Sequence, residues 1–217
     1  MAELKSLTER IDAEFAGFQE NTEHFQVAAK SEYEARESRF RNQFLPASKQ
    51  IVEVIRPRLQ LLVDRFKDRV NVKPIVTEHM REVEMKFDSP LARIALTFSL
   101  SHDAEVKNLV FDQTLKILPI LMQFDDHSSL TMPLDKIDEC AITKWFDDRI
   151  VGFIQAVAAM HQNQYYLKDH MVTDPIAGVQ MPKYAAKTTL EVGGKTHYFI
   201  SEETKREFEN QSAAAKK

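Results

Sequence analysis

The chain has one cysteine in 217 residues, Cys140, so it has no internal disulfide, and thiol usage fits a reducing compartment. It has five glycines, and neither GxGxxG nor GxxxxGK[ST] occurs, which removes the common glycine-rich phosphate loops. No apolar run approaches the ~20 residues that a membrane-spanning helix needs. The longest lies around Ile117–Met122, and the start, Met1-Ala2-Glu3-Leu4-Lys5, has no apolar signal core. Lys and Arg never concentrate, and the net charge is −4, so a phosphate-gripping face for nucleic acid is not expected. No G-x-S-x-G elbow, nucleophile–base pair or metal triad stands out, and no enzyme is expected. These absences predict a cytoplasmic protein that binds neither nucleic acid nor membrane and needs no cofactor.

What is present is a long helical stripe. Positions 4, 7, 11, 15, 18, 22, 25, 29, 33, 36, 40 and 44 are Leu, Leu, Ile, Phe, Phe, Thr, Phe, Ala, Tyr, Arg, Phe and Phe. Its eleven steps cover 40 residues, about 3.64 per step, the period of a nearly straight helix. Gly17 is its weak point, costing roughly 1 kcal/mol against alanine. Pro46 is expected to end it, because the residue before a proline is pushed out of helix. Such a rod would be about 65 Å long, against roughly 45 Å for the diameter of a compact chain of this size. The stripe either folds back over its own sheet or forms a coiled-coil-like homodimer, with Phe15, Phe18, Phe25, Tyr33, Phe40 and Phe44 as the interface.

A second helix carries Ile51, Val54, Ile55, Leu59, Leu62, Phe66 and Val70 on one face, and Pro57 should kink or restart it. The period then becomes two. Val83, Met85 and Phe87 alternate with charge, and Ile94, Leu96, Phe98 and Leu100 make the clearest strand. Leu109 with Phe111, Leu115 to Phe124 and Leu130 to Leu134 suggest three more, the middle one at an edge or bulge because of Pro119. Short turns predict an antiparallel meander. Ile142, Trp145, Phe146, Ile150, Phe153, Ile154, Val157 and Met160 form the apolar face of a helix near 140–164 that should cover the sheet. The expectation is α+β: long N-terminal helices, an antiparallel four- or five-stranded sheet covered by a helix, and a small C-terminal module. The expected divisions are 1–45, 46–165, 170–210 and a disordered tail at 211–217.

The module is carried by Asp174-Pro175-Ile176-Ala177-Gly178-Val179, then Gly193-Gly194-Lys195-Thr196-His197-Tyr198-Phe199-Ile200-Ser201-Glu202-Glu203-Thr204, then Phe208. This resembles a YHS domain, typically D-P-V-C-G-M, then G-K-x-Y-x-F-C-S-x-x-C, then phenylalanine. The resemblance implies soft-metal binding by cysteines, but those three positions are Ala177, Ile200 and Thr204. The retained residues predict a hairpin around Gly193-Gly194 and a final helix capped by Ser201, with Phe208 packing back.

Three functions stay open. The first is a non-catalytic, homodimeric protein-interaction or scaffold protein with a metal-free YHS-like module. The second is a metal-binding or metal-sensing protein with substituted ligands, for which His170, Asp174 and His197 are candidates, with His161 and Asp169 nearby. The third is a small-molecule carrier using a sheet–helix cavity. His24 with Glu20 and Glu23 reads as a solvated helix face, because a di-iron bundle needs four such helices. Asp147-Asp148-Arg149 and Asp125-Asp126-His127 read as solvated faces or turns, and Cys140 as a small packed hydrophobe.

Overall fold

A computed structural model describes residues 2–214, with side chains from 5 to 212. The chain begins with α1 (Ala2–Arg39), passes through a π-helical turn (Phe40–Phe44) and continues as α2 (Leu45–Phe66). The helix therefore does not end at Pro46. Leu45 keeps a helical backbone at φ −60°, ψ −47°, and its N–H donates to the Phe40 carbonyl five residues back. That widened turn absorbs the proline, which has no N–H to give and whose ring would crowd the carbonyl four residues earlier. Pro57 also lies inside α2 without ending it.

α2 stops at Phe66, so Val70 belongs to a strand rather than to the helix face on which periodicity places it. The exposed Lys67 closes the helix at φ 49°, ψ −125°, a conformation costly for any residue with a Cβ. Lys67→Gly is expected to stabilise the protein by about 1 kcal/mol. Thermal unfolding should show the melting midpoint rising by roughly 2–4 °C.

The sheet is an antiparallel meander in the order β1 (Val70–Val76), β2 (Arg81–Phe87), β3 (Arg93–His102), β4 (Asn108–Leu118) and β5 (His127–Pro133). It matches the α+β expectation with two corrections to its strands. β1 was not anticipated: Val70, Val72, Pro74 and Val76 alternate, but Val70 also continues the helical spacing of Phe66. Pro74 is tolerated because β1 is an edge. The segment from Leu115 to Phe124 is not a separate strand. Its first four residues finish β4, and the chain leaves the sheet at a cis Leu118–Pro119 bond.

One face of the sheet is apolar. Ile94, Leu96, Phe98 and Leu100 on β3 are buried, as are Leu109, Phe111, Leu115 and Ile117 on β4. α3 (Glu139–Gln162) covers that face with Ile142, Phe146, Phe153 and Met160. Phe146 meets Phe98 at 5.0 Å between ring centroids, and Phe153 meets Phe87 at 4.7 Å. Asp138 caps α3 by accepting from the Ala141 N–H.

After α4 (Gln164–Leu167), the C-terminal segment forms two hairpins and a helix. These are β6 (Met171–Thr173) with β7 (Gln180–Pro182), β8 (Thr188–Val192) with β9 (Lys195–Phe199), and α5 (Glu202–Ala214). The β8–β9 turn uses Gly193 and Gly194 at φ 59° and 75°, where only glycine is unstrained. Residues 211–214 lie in α5 rather than in a disordered tail, because the small residues after Gln211 continue its backbone ladder. The rest of that expected tail, 215–217, falls outside the described residues.

Candidate functional site

The helical stripe divides into two parts. Phe40 and Phe44 are buried in the chain's own core, stacked on each other at 5.5 Å. His102 packs edge-on against Phe44 at 4.7 Å, and His79 lies 4.7 Å from Phe40. The two histidines are hydrogen-bonded, His79 Nδ1 to His102 Nε2 at 3.0 Å. His102 Nδ1 faces the Asp103 carbonyl at 2.7 Å. A carbonyl only accepts, so His102 carries its proton on Nδ1, and Nε2 accepts from His79. Arg39 adds a clamp, donating to the Glu105 carbonyl and pairing with Glu32 at 3.1 Å. The stripe thus ends in a joint that fixes α1 to the β3–β4 turn.

Beyond that joint the stripe is uncovered. Phe15, Phe18, Phe25 and Tyr33 are 65, 70, 75 and 61% exposed, with Leu7 and Ile11 also exposed. From Lys5 to Glu34 every described side chain but Gly17 is exposed. Among the described residues no other element shields these rings. The helix does not fold back over its own sheet.

The C-terminal segment is organised around Asp174, which is fully buried. Its Oδ1 accepts from the backbone N–H groups of Ile176 and Ala177 at 2.8 and 3.0 Å. Its Oδ2 accepts from the Ile200 N–H at 2.9 Å and from the Thr204 hydroxyl at 2.8 Å. The backbone closes the same turn, the Asp174 N–H donating to Val179 O and Gly178 N–H to Asp174 O. Burial alone would raise the carboxyl's pKa. The donors from Ala177, Ile200, Ile176 and Thr204 together outweigh it and hold the group below its ordinary 3.8. Ala177, Ile200 and Thr204, the three positions where the YHS pattern has cysteine, therefore meet in space, each giving one donor to a single carboxylate.

Asp174 does not meet His170 or His197. His197 packs on Phe208 at 4.7 Å, and Phe208 in turn on buried Phe199 at 5.4 Å. His161 packs edge-on to Tyr184 at 4.9 Å, and its pKa is pushed down by burial and by the Arg69 charge. Among the described residues no three His, Cys, Asp or Glu side chains are grouped to hold a metal ion. Ser201 caps α5, its hydroxyl accepting from the Thr204 N–H at 3.3 Å. Cys140 is exposed rather than packed, because the start of α3 turns it away from the sheet.

A sheet–helix cleft of about 350 Å³ lies between α2 and β1–β3, lined by Ile55, Leu59, Val63, Val72 and Met85 with Arg56 and Arg81 at its rim. Among the described residues no helix is long and apolar enough to cross a membrane. No known protein family, curated protein or solved structure matches the chain, so the YHS resemblance rests on the residues quoted for it.

Proposed function

We propose that this is a non-catalytic interaction protein that self-associates through the exposed stripe of α1, with the sheet domain and the C-terminal segment carried at one end of the rod. The observation that supports this is the exposure of Phe15, Phe18, Phe25 and Tyr33. An isolated helix gains little from propensity alone, and most helical stability comes from packing an apolar face. Each aromatic ring transferred from water to an interface contributes roughly 1.5–3 kcal/mol. Eight such rings, four from each chain, would contribute about 12–24 kcal/mol, against an association cost of about 4–15 kcal/mol.

The proposed occupant of the stripe is a second copy of the chain. α1 has 38 residues, about 57 Å at 1.5 Å each. Its uncovered part, residues 5–34, is about 45 Å long, so a stripe ~10 Å wide covers ~450 Å² per chain and ~900 Å² for a pair, the size of weak, transient interfaces. The near-straight period lets two identical stripes stay in contact along their whole length.

A second reading comes from charge. Between Arg10 and Lys30 lie Asp12, Glu14, Glu20 and Glu23, with no Lys or Arg. This acidic stretch beside Phe15, Phe18 and Phe25 suits a basic amphipathic helix of another protein. Salt separates the two readings. Screening removes like-charge repulsion between copies and strengthens self-association, whereas it weakens an acidic–basic pair.

The test is molar mass by light scattering or sedimentation at low and high salt, on the intact chain and on the triple variant Phe15→Ser, Phe18→Ser, Phe25→Ser. A dimeric parent, firmer in salt, and a monomeric, folded variant are expected. A parent that is monomeric at ~100 μM overturns self-association, since a 1 μM dimer would be almost fully formed there. If it also ignores basic amphipathic peptides, the interaction reading fails.

A further inference from the structure

We propose that the hollow between α3, β4 and the loop after β4 is a binding site for a small organic carboxylate. It encloses about 410 Å³, within the range of small-molecule sites. Among its lining residues, Gln113 and Arg149 stand where the fold calls for apolar side chains. Gln113 is 3% exposed on the core face of β4, between buried Phe111 and Leu115. Its carboxamide has no hydrogen-bond partner among the described residues, and it lines the hollow. Arg149 comes from α3 at the spacing of the buried face, three residues after Phe146 and four before Phe153. Its Nε is buried with no partner, and Arg149 makes no ion pair among the described residues. The neighbouring Asp147 is already paired with Arg58 at 2.9 Å.

A buried donor left unpaired costs roughly 1–3 kcal/mol, more when it is charged. Arg149 Nε is such a donor, and with the Gln113 amide facing the same hollow from β4, an anionic ligand would satisfy both. A guanidinium edge presents parallel N–H groups that match a carboxylate, and the Gln113 amide adds a donor beside them. The walls, Leu115, Phe124, Phe153 and Ala156, suit an apolar body attached to that carboxylate. Gly152 on α3 leaves the space open, with nothing within 4 Å of where its Cβ would lie.

The rim narrows the ligand class further. Asp125 and Asp148 line the mouth and are exposed to solvent. They disfavour multiply charged anions such as phosphate, yet accept an ammonium group placed next to the carboxylate. The lining thus combines buried donors, apolar walls and exposed acids. This fits a monocarboxylate with an apolar body, an α-amino acid included. The loop that closes the hollow is held in place. Tyr166 donates its hydroxyl to the Pro119 carbonyl at 2.6 Å and accepts from the Leu121 N–H at 3.1 Å. The Leu115 N–H donates to the Asp126 carbonyl at 2.7 Å, tying the loop to β4.

The experiment is isothermal titration and thermal shift on the full chain with 3-phenylpropionate, phenylalanine, phenethylamine and inorganic phosphate. Binding of the two carboxylates is expected, with none for phenethylamine or phosphate. Arg149→Met and Gln113→Leu should each weaken that binding at least about tenfold. Gln113→Leu guards against misfolding, because an apolar isostere at a buried unpaired amide is neutral or stabilising. A folded Gln113→Leu protein with a raised melting midpoint and lost carboxylate binding supports the site. The assignment is overturned if no carboxylate binds up to ~10 mM, if phosphate binds in preference, or if both variants bind as the parent does.

Discussion

Asp174→Ala is expected to unfold the segment from Met171 to Ala214 at neutral pH while the five-stranded sheet stays folded. The substitution strands three backbone N–H groups that now converge on the carboxylate, while the Thr204 hydroxyl keeps the Ser201 carbonyl at 3.1 Å as an acceptor. At roughly 1–3 kcal/mol per buried unsatisfied donor, and without full additivity, the loss is on the order of 4 kcal/mol or more. A unit of this size holds only about 2–7 kcal/mol in total. Its other buried side chains are few: Met181 and Phe199 stand apart from the main apolar cluster. Asp174→Asn should fare nearly as badly, because its NH₂ would face donors in place of one accepting oxygen. Thr204→Val removes one donor and should cost about 1–2 kcal/mol. The readout is hydrogen exchange on peptides from 188 to 199, which should lose protection in Asp174→Ala while β3 and β4 peptides keep theirs. Retained protection in both regions would show that the carboxylate is not what holds the segment.

The same carboxylate predicts an acid transition with a definite sign. Its folded pKa lies below the ordinary 3.8, so its stabilisation is complete above that value. It is lost as pH falls below 3.8 through the folded pKa, when the proton displaces the donors. Protection of the β8–β9 hairpin in the parent should therefore collapse in that window, and Asp174→Ala should lack this step.

The strands and helices were readable where one periodicity held without competition. β3 alternates strictly, and α3 repeats its apolar face at helical spacing, so both were legible from residues alone. The failures are places where two rules meet. Val70 satisfies both the helical spacing of α2 and the alternation of β1, and only the left-handed turn at Lys67 decides between them. Pro46 reads as a stop, but a wider turn upstream removes the clash that would have stopped the helix. Asp174 was legible as part of a pattern and not as a hub. Its partners at 200 and 204 are brought to it by a hairpin, which no local spacing encodes. Gln113 carried a visible signal: a polar residue in phase with Leu109, Phe111, Leu115 and Ile117 on the core face of its strand. Arg149, in phase with Phe146 and Phe153, carried another, hidden inside a charged triplet that reads as a solvated face.

The aromatic stripe is where one sequence pattern should yield two opposite phenotypes. Phe44→Ala is expected to cost about 3–5 kcal/mol, the usual penalty for emptying a phenylalanine site in a packed core. Phe44 has no exposed surface and touches Phe40 and His102 at 5.5 and 4.7 Å between ring centroids. The melting midpoint should fall by roughly 6–20 °C. Phe18→Ala, the same change on the same face, should alter monomer stability by less than about 0.5 kcal/mol, because the ring is 70% exposed. Its effect should fall on association, seen as a weaker dependence of the melting midpoint on protein concentration. The joint explains why the phenotypes separate at Arg39: there the chain begins to bury the stripe against His79, His102 and the β3–β4 turn. A truncation meant to test the rod must therefore stop before residue 35, since removing 1–45 also deletes Phe40 and Phe44 from the core. Denaturation of both variants over a hundredfold range of concentration is the decisive measurement. Equal, concentration-independent losses in both would place the whole stripe in one structural role and remove the exposed helix as an interaction surface.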